Sequence, residues 1–203
     1  MADAMAVAGH APADPMDTTT NIPSVKLGMW VFLGSECMLF GGLISTYLLY
    51  KGRVPAGGIQ PRDVFDIWFT SASSFVLLMS SLTMVLALSA IQRGDIARLK
   101  LWLLTTGLLG STFIAGQVYE FTAFYREGLG FTTNIFASAF YTLTGFHGVH
   151  VTIGIVMLFS LLILAMRGKL DERRSVAVET VGLYWHFVDI VWILVFTIVY
   201  LIP

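Results

Sequence analysis

His186 and Asp189 sit three residues apart in "GLYWHFVDIVWI", Gly182–Ile193, inside an apolar run that reaches the C-terminus. On a helix that spacing puts both on one face, and Glu179, two turns earlier, falls on the same face. A histidine with a carboxylate one turn away can exchange a hydrogen bond and hold one tautomer. His147 and His150 repeat the three-residue spacing in "TGFHGVHV", while Glu36 in "GSECMLFGG" and Glu120 in "AGQVYEF" are single carboxylates in apolar surroundings. Three kinds of chemistry fit these groups. They can pair with one another or with another subunit and fix helix register. Three histidines with carboxylates can hold a metal or haem, although the Glu-x-x-His pair on two helices that marks di-metal bundles is absent. Glu36 and Glu120 can take part in a proton or ion path.

The elements that must position these residues are read from hydropathy. The chain has 203 residues, 56% of them hydrophobic and 12% charged, with a mean hydropathy of +0.78. A bilayer-crossing helix needs about 20 apolar residues. Five runs qualify, at about 25–50, 67–91, 99–124, 134–166 and 176–202. They are too long and too uniformly apolar for β-barrel strands, which alternate over about ten residues. The expected fold is therefore all-α, an integral membrane bundle of five transmembrane helices over 25–203. The fourth run is longer than a bilayer needs, so it tilts or extends into water. Residues 1–24 hold His10, no Lys or Arg and three of the six prolines, and read as a short mobile tail without a cleavable signal.

Basic residues give the expected orientation. Lys26, Arg93, Arg98, Lys100, Arg167, Lys169, Arg173 and Arg174 lie on one side, and Lys51, Arg53, Arg62 and Arg126 on the other. The richer side, with the N-terminus, is assigned to the cytoplasm and the C-terminus to the outside. Trp30, Trp68 and Trp102 fall near span ends, where amphipathic rings favour the interface. Gly34, Gly41 and Ser45, and likewise Gly145, Gly148 and Thr152, form small faces that would let helices approach closely. Cys37, the single cysteine, reads as a small buried hydrophobe without a disulfide partner. A net charge of −1 gives no basic surplus for a nucleic acid. Phosphate-binding loops, a Cys-x-x-Cys-His haem attachment and a G-x-S-x-G elbow do not occur. The connections are too short for an ordinary soluble active site, so the chain reads as a subunit rather than a stand-alone enzyme.

"YWHFVDIVWI" (Tyr184–Ile193), "TGFHGVHVTIG" (Thr144–Gly154), "GSE" (Gly34–Glu36) and "GQVYEF" (Gly116–Phe121) resemble subunit III of the haem–copper respiratory oxidases. The resemblance runs from about Lys26 to the C-terminus and is to the short five-span bacterial form, which lacks the two leading helices of the seven-span form. It implies a bacterial inner-membrane protein without a redox centre or metal of its own. Haems and copper are expected in the partner subunits. Subunit I would be the direct neighbour, with subunit II, small subunits or a larger supercomplex beyond it. Phospholipids would occupy a cleft between two groups of helices, and the cleft could guide oxygen.

By the same resemblance, Glu36 matches the family's carbodiimide-reactive carboxylate, which is not its pumping element. Glu120, His147, His150, His186 and Asp189 match its intramembrane polar positions. Many members carry an acid where this chain has Gln117, which weakens a proton path here. The implied role is stabilising subunit I of a proton-pumping cytochrome c oxidase, with a quinol oxidase as the alternative. A small transporter and a membrane haem protein are the rivals from other classes. His186 and Asp189 are expected to fix the last helix against the His147/His150 face and Glu36 or Glu120.

Overall fold

A computed structural model describes residues 23–53, 66–170 and 175–202. Most of the tail expected at 1–24 lies outside the described residues, as do His10, Arg62, Arg173 and Arg174. The described residues form five long helices: α1 (Ser24–Tyr50), α2 (Ile67–Gln92), α3 (Ile96–Arg126), α4 (Ile135–Met166) and α5 (Ser175–Phe196). Each is long and apolar enough to cross a membrane. A π-helical turn, Thr197–Leu201, extends α5, and the Ile202 N–H closes it on the Thr197 carbonyl at 3.0 Å.

Local chemistry sets the helix ends. Asp66, Asp95 and Asn134 precede α2, α3 and α4, and their side chains accept from the N–H of Phe69, Arg98 and Ala137 at 3.1, 3.0 and 2.7 Å. Such caps satisfy otherwise orphaned donors. The Asp95 cap starts α3 three residues ahead of the expected 99, because a capping carboxylate outweighs the polar run Arg98–Lys100. At the other ends, Gly94 (φ 70°) and Gly168 (φ 66°) turn the chain out of α2 and α4 in the left-handed conformation that favours glycine.

Helices α2, α3, α4 and α5 close a four-helix bundle in which α5 returns against α2. Helix α1 stands outside it on the seam between α4 and α5 and makes no substantial contact with α2 or α3. The core holds Leu77, Met84, Leu103, Phe113, Phe140 and Trp185, all at most 2% exposed. Trp185 fixes the spacing of three helices. A Cβ on Gly110 of α3 would come within 2.5 Å of its indole, and one on Gly154 of α4 within 2.7 Å. Close approach is therefore achieved at Gly110 and Gly154. The small face expected on α1 packs nothing among the described residues: a Cβ on Gly34 or Gly41 meets only open space, as it does on Gly145.

Three further expectations are corrected or qualified. Cys37 is exposed on the apolar outer surface of α1 rather than buried, because α1 offers the bundle only a narrow stripe. Trp30 and Trp68 are exposed as interfacial rings should be, whereas Trp102 packs partly against the core. Where two groups of helices were expected, the described residues form a four-helix bundle with α1 set outside it. A hollow of about 320 Å³ lies between α3 and α4, lined by Ile114, Val118, Phe121, Gly145 and Val149.

Candidate functional site: paired polar groups between the helices

The ionisable residues of the spans resolve into separate small sets, each pinning one helix to another. Glu36 of α1 meets His150 of α4, with 3.0 Å between carboxylate and Nε2, and the two side chains are only 14% and 10% exposed. His150 Nδ1 lies 2.8 Å from the Phe146 carbonyl, which can only accept, so Nδ1 carries a hydrogen. Nε2 and Glu36 therefore share one proton between them. The Tyr184 hydroxyl of α5 donates to the His150 carbonyl at 2.9 Å, tying a third helix to the pair.

His186 and Asp189 do not meet the His147/His150 face, Glu36 or Glu120 as expected. They turn to α2. Ser81 Oγ donates to Asp189 Oδ2 at 2.7 Å, and His186 Nδ1 lies 3.2 Å from the same hydroxyl. A serine thus bridges the pair, and the two side chains exchange no direct hydrogen bond. Because its proton goes to the carboxylate, Ser81 is an anchor and not a nucleophile.

His147 is fully buried. Its ring stacks on Trp192 at 4.8 Å and meets the Phe113 ring edgewise at 6.0 Å, and neither nitrogen has a hydrogen-bond partner among the described residues. Glu120 accepts from the Thr70 hydroxyl of α2 and from the Tyr200 hydroxyl in the π-helical turn. Glu179 leaves the expected stripe and pairs with Lys26 of α1 at 2.5 Å. Gln117, at the position where an acid was expected by resemblance, donates to the Thr144 carbonyl at 2.8 Å and lies over Gly148.

The partners that sequence reasoning missed are the hydroxyls of α2, the span with no ionisable group. Ser74 accepts from the Trp192 indole at 2.8 Å and Ser80 from the Trp185 indole at 2.9 Å. Thr83 meets Thr106 of α3 at 2.8 Å. The signal was present in "TSASS" and "SSLT", whose hydroxyls recur at helical spacing as Thr70, Ser74 and Ser81. In hydrocarbon an unpaired indole N–H or carboxylate is costly, so a hydroxyl stripe on one helix predicts polar partners on its neighbour. Chemically, the set can hold protons in fixed places and fix helix register. No three of its His, Cys, Asp and Glu side chains gather closely among the described residues.

Comparison with known proteins gives a family context for this arrangement. Residues 10–202 match the family model described as cytochrome c oxidase subunit III. The chain is 41% identical to "Cytochrome c oxidase subunit 3" of Bacillus sp. (strain PS3), over 86% of this chain and 84% of that protein. It is 39% identical to "Quinol oxidase subunit 3" of Bacillus subtilis (strain 168), over 86% and 85%. With "Cytochrome c oxidase subunit 3" of Alkalihalophilus pseudofirmus it shares 36% identity over 99% of this chain and 98% of that one.

Proposed function

The chain belongs to the cytochrome c oxidase subunit III family, and from that premise we propose that it is the non-redox third subunit of a bacterial cytochrome c oxidase. It packs directly on subunit I, whose haems and copper reduce oxygen while protons are pumped, and keeps that subunit in working form. Subunit II, small subunits and a larger respiratory assembly complete the set of partners. The observation that carries the reading is the family match over 10–202. The geometry supports it: Glu36, Glu120, Glu179, His150, His186 and Asp189 are each engaged by a neighbouring helix. That is the pattern of a scaffold rather than of a conducting path. Phospholipid chains lie along its apolar grooves, the hollow between α3 and α4 among them. The excess of Lys and Arg on one side supports an N-terminus in the cytoplasm and a C-terminus outside the inner membrane.

Cytochrome c is the proposed electron donor, supported by the near end-to-end match to a cytochrome c oxidase subunit 3. The 39% match to a quinol oxidase subunit 3 favours quinol as the second reading. Tagged chain purified in gentle detergent tests both. A haem- and copper-bearing polytopic subunit should accompany it, with a copper-containing subunit II and cytochrome c oxidation by the preparation. Quinol oxidation with a copper-free subunit II would overturn the donor, and a chain that emerges alone would overturn the subunit role.

A further inference from the structure

Helix α5 packs against both α1 and α2, which share no substantial contact, so one face of α5 is left open between them. Ile190, 58% exposed, Ile193 and Leu194 lie on this face, and His186 lies among them, one turn from Ile190. On α1, nothing stands within 4 Å of where a Cβ on Gly41 would be, so this part of α1 can be approached closely by another helix.

His186 makes the face chemically specific. The Ser81 proton is committed to Asp189, so Ser81 Oγ receives a hydrogen bond from His186 Nδ1. A neutral imidazole has one N–H; with it on Nδ1, Nε2 is an acceptor. Nε2 has no partner among the described residues. His186 lies near the middle of the Ser175–Leu201 span, about 16 Å along the axis from its nearer end at about 1.5 Å per residue. Lipid headgroups do not reach that depth of a hydrocarbon core about 30 Å thick, and an acceptor left bare there is costly. A donor on a neighbouring protein segment would satisfy it.

We infer that the α5 face between α1 and α2 docks a transmembrane helix of the haem-bearing subunit, which donates an O–H or N–H to His186 Nε2. The inference rests on the subunit role proposed above and adds the surface and the chemistry of the contact. Asp189 and Ser81 are positioning residues in it: they fix the tautomer that the partner meets.

The test uses the full chain in its purified complex, with a photoreactive amino acid at Ile190, and separately the variants His186→Phe and His186→Gln. Crosslinking should join Ile190 to the haem-bearing subunit. His186→Phe should leave the complex about three- to tenfold faster in detergent, the effect of losing one intramembrane hydrogen bond, while His186→Gln, which keeps an acceptor, stays near the unmodified rate. Crosslinks only to lipid or to a second copy, with the haem-bearing subunit still co-purifying, would overturn the docking surface and leave the subunit role standing. Crosslinks to that subunit with equal rates for Phe and Gln would overturn the hydrogen bond. Loss of co-purification for the unmodified chain would sink both.

Discussion

At the scale of single residues, the structure trades side-chain volume for proximity at Gly110 and Gly154, which admit the Trp185 indole. The indole is held from the third side by Ser80, so it cannot retreat from an added methyl. Gly154→Ala should therefore cost about 1–3 kcal/mol, the usual range for overpacking a fitted core. A lowered thermal midpoint of the purified complex is the expected reading, and an unchanged midpoint would show that Trp185 has room to move. Gly145→Ala is the natural comparison, since its Cβ would meet open space. These roles were not legible in the sequence. Gly110 and Gly154 look no different from Gly41 or Gly145 until the partner helix is known, because close approach is a property of a pair.

Among the elements, α1 depends on its ends. Lys26 reaches Glu179 at the start of α5, and Lys51 donates to the Ile198 and Ile202 carbonyls at its close. Those carbonyls belong to a helix terminus that lacks internal donors, where a cation is favourable. The double change Lys26→Ala with Lys51→Ala should detach α1 from α5 without unmaking the four-helix bundle, because α1 packs outside it. Limited proteolysis checks this: cleavage within 51–66 should quicken severalfold while the α2–α5 fragment persists. Uniform degradation of the whole chain would contradict it. The five spans themselves were legible, since length and hydropathy decide what crosses a bilayer. Which span meets which was not. Glu179, His186 and Asp189 share a face by arithmetic, yet they turn to α1 and α2 separately, since α5 lies between two neighbours and a helical face is wide enough to serve both.

For the molecule as a whole, the three described histidines are spent on architecture: His150 on Glu36 and Phe146, His186 on Ser81, His147 on the Trp192 ring. The chain purified alone should accordingly show no Soret band, and an oxidase depleted of it should keep its haem absorption. A haem signal travelling with the isolated chain would reverse the assignment. The position of α1 also bears on how the protein is made. Helix α1 leaves the ribosome before the surfaces it packs on, which belong to α4 and α5. During synthesis it must wait in lipid, with Glu36 and Lys26 unpaired, until His150 and Glu179 arrive. Its broad apolar exterior suits that wait, and insertion machinery that shelters early helices would find α1 its longest-held client.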